Sequence, residues 1–453
     1  MDEQDRRDAG ELARGRTPDL AAKGVRVIAV TWVDNSGITR VKAVPLAKLE
    51  SAAAWGIGAS PCFDTFLFND ELATPGAVGE LRLHPDLSRL TVLAAQPGWA
   101  WAPADRYDLD GDPHPVDQRT LARTAVQRLA EHGYQARMAF EVEWVIGWDD
   151  GVFQPAVRGP GYGNARLVHQ SEYVRDIVVA LAEQDIEVDQ IHPEYGPGQF
   201  EVSVAAADPV SAADDYVLVR ETIRAISARQ GMRVSFSPKV IVNHVGNGGH
   251  VHLSLWRDGR NLFAGGDGPF GLTAEAESFT AGILERLPAL LAVGAPSVAS
   301  YLRLIPQHWA GAYAVWGLEN REAALRMVTG PAGNRDHAAN LEVKSFDQTA
   351  NPYLLVAALI FGGLSGVDAR TRLPAPVDVD PALLSDDERD RRGIRRLPAS
   401  LGDSTDAFAA DPVLTGAFGP DLTAAILAVR RGEIEHFEQS SPAEIVEQLR
   451  WVH

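Results

Sequence analysis

Five glutamates and two histidines recur along this chain at spacings that a β-strand turns to one side. Successive side chains of a strand point to opposite faces, so residues two apart share a face. In 136–145 (ARMAFEVEWV), Ala136, Met138, Phe140, Val142 and Trp144 form an apolar set, while Arg137, Glu141 and Glu143 lie opposite. In 194–204 (EYGPGQFEVSV), Glu194 precedes a Gly-Pro-Gly bend. Beyond the bend Phe200, Val202 and Val204 oppose Gln199, Glu201 and Ser203. In 249–256 (GHVHLSLW), His250, His252, Ser254 and Trp256 alternate with Val251, Leu253 and Leu255. In 341–346 (LEVKSF), Glu342 and Lys344 alternate with Leu341 and Val343.

A single strand of this kind is ordinarily half-exposed, with its polar side in water. Four together read differently, because so many carboxylates on one working face repel unless cations neutralise them. Glutamate oxygens with one or two imidazoles suit Mg²⁺ or Mn²⁺ better than zinc, and two ions are needed for so many acids. Paired divalent ions are the usual equipment of phosphoryl transfer, so nucleotide chemistry leads. No GxxxxGK[ST] loop occurs, and Gly246-Asn-Gly-Gly-His250 alone is only a turn signal. Arg303, Arg321 and Arg326 follow downstream. Guanidinium groups bind carboxylates and phosphates bidentately, so a carboxylic acid plus a nucleotide is the joint reading. Taken singly, each arginine is as readily a surface ion-pair former.

The elements that must hold these residues point to an α+β chain. Residues 25–45 read as two strands joined at Asp34-Asn-Ser-Gly37. A stretch rich in proline, glycine and aspartate at 96–118 precedes a helical pattern at 119–132, which places a boundary near residue 110. The expected division is a mobile segment 1–24, a small β-rich domain 25–110 and a larger unit 111–453. Amphipathic helices are expected at 171–184, at 209–230 behind the capping Asp208, at 274–293 and at 352–366. The segment 385–396 reads as a solvated loop, and 421–435 and 442–450 as helices.

With 453 residues, 45% of them hydrophobic, the chain can bury a large core. A net charge of −19 argues against nucleic acid or anionic membrane surfaces as partners. The single cysteine, Cys62, excludes an internal disulfide framework and a thiolate zinc site. The charged N-terminus lacks a signal-peptide core, and no later stretch reads as the ~18 apolar residues a span requires. A cytoplasmic setting is expected.

Phe140-Glu-Val-Glu143, His192-Pro-Glu-Tyr-Gly-Pro-Gly-Gln-Phe-Glu201, Gly248-Gly-His-Val-His-Leu-Ser254, Ser300-Tyr-Leu-Arg-Leu-Ile-Pro306, Asn320-Arg321 with Arg326, and Glu342-Val-Lys344 followed by Ala350-Asn-Pro-Tyr-Leu354 resemble the glutamine synthetases, in that family's order. The resemblance implies a small β-grasp-like N-terminal domain and a larger catalytic domain whose antiparallel sheet lines a two-metal site. It further implies a homododecamer of two stacked hexamers. Carried over, Glu143, Glu194 and Glu201 hold one metal, and Glu141, His250 and Glu342 the other. His252, Ser254 and Arg326 contact ATP, while Gly246, Arg303 and Lys344 contact glutamate. Arg321 is catalytic, stabilising the transferring phosphate, and Asp64 completes a neighbouring subunit's ammonium pocket.

Three positions depart from the family pattern. Trp309 stands where ammonia-using members carry a proton-accepting glutamate, Val245 replaces an asparagine that contacts glutamate, and Asn340 replaces an arginine near the nucleotide. An indole face can hold an alkylammonium by cation–π attraction of about 0.5–2 kcal/mol. The resemblance therefore implies an ATP-dependent ligase joining glutamate to an organic amine such as a polyamine, ethanolamine or alkylamine. An ammonia-using synthetase and a catalytically weak sensor or scaffold stay open at this stage.

Overall fold

The computed structural model describes residues 1–76, 78–149 and 151–453. The β-branched run Val27–Val33 forms a strand that turns at Asp34 and returns antiparallel as Thr39–Pro45. The Asp34 side chain closes the turn by accepting the N–H groups of Ser36 (2.9 Å) and Ile38 (3.0 Å). Gly37, at φ 73°, is pressed so closely on the C-terminal part of the chain that a Cβ there would lie 1.9 Å from the Thr349 carbonyl oxygen. These two strands continue into a six-stranded sheet in the order Thr39–Pro45, Val27–Val33, Trp99–Tyr107, Leu81–Pro85, Ile57–Ala59, with Thr91–Val92 beside Trp99–Tyr107.

Residues 1–24 depart from expectation. Glu3–Ala22 is a helix with a reciprocal capping box between Asp2 and Asp5, and it buries Ala13 and Leu20 with Leu49 and Ala53 of the N-terminal core. Its few apolar residues, scattered in a charged stretch, hid this face from a reading of composition.

The strands that carry the acidic and imidazole residues belong to two sheets rather than one. Gln135–Phe140 pairs with Val251–Arg257 in a six-stranded sheet, and Val142–Asp149 pairs with Gln199–Val204 and Arg233–Ser235 in a five-stranded sheet. The strand expected over 136–145 is therefore broken at Glu141, whose N–H donates to the His250 carbonyl as the chain crosses between sheets. The period of two survives the crossing: Met138, Phe140, Val142 and Trp144 are all buried in the main core. The six-stranded sheet is mostly antiparallel, but Tyr313–Leu318 and Ala323–Val328 run parallel.

Behind the sheets, the helices Ala274–Gly294 and Pro352–Ala369 cross at glycines. A Cβ on Gly366 would lie 2.1 Å from the Ser278 carbonyl oxygen, so only glycine permits this approach. Pro352–Ala369 was expected to be amphipathic, yet it is buried nearly all round. With a mean hydropathy of 1.5 it is long and apolar enough to cross a membrane, as is Pro412–His436. Both correct the expectation that no stretch reaches that length. The first is 72% buried inside the protein, which accounts for its composition as a core helix. The charged segment 385–396 also departs from a plain loop, since Ser385 caps a short helix Asp386–Arg391.

Candidate active site

Two cross-strand rows build the site. In the five-stranded sheet, Glu143, Glu201 and His192 stand directly opposite one another on neighbouring strands. In the six-stranded sheet the corresponding row is His252, Glu342 and Arg326. Glu141, at the crossing, faces the second row: its carboxylate lies 2.9 Å from His250 Nδ1 and 3.1 Å from His252 Nε2. Glu342 lies 3.2 Å from His250 Nδ1, 3.1 Å from Lys344 Nζ and 3.0 Å from Arg326. Glu194, just past the strand Val188–Pro193, lies 3.5 Å from His192 Nδ1, and Glu201 lies 3.4 Å from its Nε2. The rows line one cavity of about 750 Å³, which also exposes Gly246, Arg303, Trp309 and Arg321.

The electrostatics follow from burying so many acids together. Burial and then the neighbouring Glu194 push Glu143 up to about 7. Burial, Glu141 and Glu143 push Glu201 well above the carboxylate range. Burial alone would raise Glu342 as well, but Lys344 and the two histidines outweigh it and hold this carboxylate at about 2. His252 is pulled up to about 9, because Glu141 overcomes the effect of burial, whereas burial and Lys344 press His250 down to about 4.

Donor atoms fall into two groups, Glu141 with His252 and Glu342, and His192 with Glu194 and Glu201, each within 4.8 Å. The six residues expected to hold metal all line the one cavity, but Glu143 and His250 fall outside these two groups, in which His192 and His252 stand instead. His192 joins them, and its place two residues before Glu194 is a period-two signal in the sequence. His252, expected at the nucleotide, reaches the acid cluster, and its Nδ1 faces Asn340 Oδ1 at 2.8 Å.

Three further side chains support the site, of which only Gln199 stood on a polar strand face in the sequence. The Tyr162 hydroxyl donates to Glu194 and its ring stacks on His192 at 4.8 Å. Gln199 donates to Glu143 at 2.9 Å. Gln348 donates to the carbonyls of Glu141 (2.8 Å) and Gly248 (2.7 Å). Gly248 gives these groups their room: a Cβ there would lie 2.6 Å from His250 Nε2 and 2.7 Å from both Arg303 Nη2 and Glu143 Oε1, so those side-chain ends would have to shift.

Ser254 lies in an adjoining cavity of about 340 Å³ with His252, Asn340 and Trp256, where the Arg137 guanidinium sits 4.9 Å from the Trp256 ring. Trp309 stacks on Tyr195 at the mouth of the main cavity, 4.6 Å between ring centroids and 16° from parallel. Asp64 is not in this cavity. Asp64 is 4% exposed, and its carboxylate is bound to Arg106 (2.6 Å) and His114 (3.2 Å), an internal ion pair rather than a group presented outward.

Residues 115–448 match the family model of the glutamine synthetase catalytic domain. The chain belongs to the glutamine synthetase family. Among its relatives is the gamma-glutamylpolyamine synthetase GlnA3 of Streptomyces coelicolor, 54% identical over 97% of this chain and 96% of the relative. The glutamine synthetase of Halobacterium salinarum is 30% identical over 93% of each chain. In three dimensions the chain is similar to a crystal structure described as a novel glutamine synthase homolog. The TM-score is 0.85 and identity 33%, covering 95% of this chain and 99% of that one. It is also similar to a GmaS/ADP complex, with TM-score 0.83 and 27% identity over 94% and 96% of the two chains. This family membership accounts for the order of the motifs and the mixed architecture of helices and curled sheets.

Proposed function

We propose that this protein joins the γ-carboxylate of glutamate to an organic amine, with ATP converted to ADP and phosphate. The observation that carries the reading is the Trp309–Tyr195 stack at the cavity mouth, an aromatic surface where ammonia-using relatives are expected to place a carboxylate. The 54% identity to a protein named for polyamine ligation supports the same substrate class.

The donor set fits divalent metal. Among the described residues His192 Nδ1 is buried without a hydrogen-bond partner, and burial together with neighbouring carboxylates pushes Glu143 and Glu201 upward, a strain that cations would relieve. Glu143, Glu194 and Glu201, with His192 beside them, would hold one Mg²⁺ or Mn²⁺, and Glu141, His250 and Glu342 the other. When bound, such ions neutralise charge on phosphate oxygens.

Arg303, buried and anchored on the carbonyls of Phe346 and Lys344, directs its guanidinium toward Gly248 and His250, where it would clamp the glutamate carboxylate. Lys344 and Gly246 complete that end of the cavity. The γ-carboxylate of glutamate attacks the ATP γ-phosphorus, ADP leaves, and Arg321 at the cavity wall meets the charge spread over the transferring group. The neutral amine nitrogen then attacks the γ-glutamyl carbonyl, phosphate departs with the electrons of the C–O bond, and that phosphate takes up the proton the nitrogen loses. His252, Ser254 and Arg326 face the side on which the nucleotide would lie. The indole of Trp309 cannot accept a proton, so it serves to hold the cationic chain of the amine.

The same reading keeps a division near residue 110, a homododecamer of two stacked hexamers and a cytoplasmic setting, the last in keeping with the lone Cys62. ADP release measured with glutamate, ATP, Mg²⁺ and a panel of amines tests the proposal. Turnover with ammonia equal to or above that with every organic amine would overturn it.

A further inference from the structure

The loop that carries Trp309 holds two non-glycine residues in the left-handed region, Gln307 at φ 63° and Trp309 at φ 53°. Side-chain-bearing residues are disfavoured there, and two within three positions need outside support. Glu322 provides it. Its Oε1 accepts the Trp309 N–H at 2.9 Å. Glu322 is itself held in place by Asn320. The Asn320 Oδ1 accepts the Glu322 N–H at 3.0 Å, and its Nδ2 donates to the carbonyls of Val377 (2.9 Å) and Val379 (3.0 Å).

The brace aims the indole. Trp309 is 42% exposed and Tyr195 48% exposed, so no core packing fixes their stack; the backbone beneath each ring must. On the Tyr195 side, the buried Arg166 grips the carbonyls of Gly196 (2.6 Å) and Gln199 (2.9 Å), and the Tyr195 N–H donates to Glu194 (3.1 Å). On the Trp309 side, Glu322 is the counterpart. It sits behind the loop and is not part of the cavity wall.

We propose that Glu322 is a positioning residue that decides which nitrogen donor the cleft accepts, by clamping the 307–309 loop so that the Trp309 indole closes over Tyr195. This rests on the reading of the cavity mouth as the amine site. The test is a kinetic cycle on the full-length protein with Glu322→Ala, Trp309→Ala and the double variant, plus Glu322→Gln. KM is measured for putrescine, ammonium, glutamate and ATP.

Glu322→Ala is expected to raise the putrescine KM roughly tenfold, the scale of a lost cation–π contact, with glutamate and ATP KM within about twofold. Glu322→Gln, which keeps one acceptor oxygen, recovers part of the loss. The double variant is no worse than Trp309→Ala, because Glu322 acts only through the indole. An unchanged amine KM in Glu322→Ala, losses that multiply in the double variant, or an equal rise in glutamate KM would each overturn the proposal. If the wild-type protein uses ammonium alone, the proposed function falls, and the same cycle run with ammonium still decides the role of Glu322.

Discussion

Glu201 stands directly opposite Glu143 in the register of their antiparallel strands, two like charges buried on one face of the five-stranded sheet. Such a pair is destabilising when ionised. Because burial and its neighbours raise Glu143 to about 7, above its ordinary value near 4.5, the fold takes up protons as pH falls through this range. The metal-free protein should therefore be most stable below pH 4.5 as far as this group is concerned, and lose that contribution as pH rises through 7. Adding Mn²⁺ should raise the melting temperature more at pH 8 than at pH 6. Each kcal/mol corresponds to roughly 2–4 °C in domains of 150–250 residues. Scanning fluorimetry with EDTA and with Mn²⁺ at both pH values checks this; an equal shift at the two would contradict it.

Trp309→Glu should move the nitrogen donor preference toward ammonium. The aromatic surface is lost and a group able to accept a proton replaces it. The ratio of kcat/KM for putrescine to that for ammonium should fall at least tenfold, on the scale of about 1.4 kcal/mol per factor of ten. A ratio unchanged from wild type would remove Trp309 from the amine site.

Gly248→Ala should damage the site without unfolding the protein. The new Cβ meets His250, Arg303 and Glu143 at 2.6–2.7 Å, and overpacking of this kind costs about 1–3 kcal/mol. Turnover should drop by two orders of magnitude or so, the scale seen when transition-state donors are displaced. Circular dichroism and steady-state kinetics separate the two effects, and near-normal turnover would show that the turn relaxes.

Asp64→Asn should act on stability rather than on catalysis. It leaves the buried Arg106 with Asp117, 3.0 Å away, as its remaining acidic partner, and breaking a buried pair costs about 3–5 kcal/mol. Because Asp117 remains, the loss should sit at the lower end. Urea denaturation measures it. A normal denaturation midpoint with a raised amine KM would instead place Asp64 in a neighbouring subunit's pocket.

Much of the site could be read from the chain because strand periodicity is a local property. Glu141, Glu143, Glu201, His252 and Glu342 each follow an apolar partner at the next position or the last, and that alternation needs only the pleat. The helix at 118–131 and the strand pair at 27–45 were legible for the same reason: caps and turn residues act over a few positions. The helix expected to be amphipathic over 352–366 runs from 352 to 369 and is buried nearly all round, because that burial comes from contacts with distant elements, which no local window contains.

What the chain by itself determined was which residue types alternate, and hence the chemistry of each strand: acids, imidazoles and the Trp309 substitution. Tertiary structure alone decided which strands become neighbours. It split the polar residues between two sheets at Glu141, set Glu201 against Glu143 and His252 against Glu342, drew His192 and Tyr162 into the site, and set Glu322 behind the Trp309 loop. It also turned Asp64 inward onto Arg106. The physical reason is range: side-chain alternation is fixed by backbone geometry over two residues, whereas register and ion-pair choice depend on groups tens to hundreds of positions apart, brought together only when the core closes.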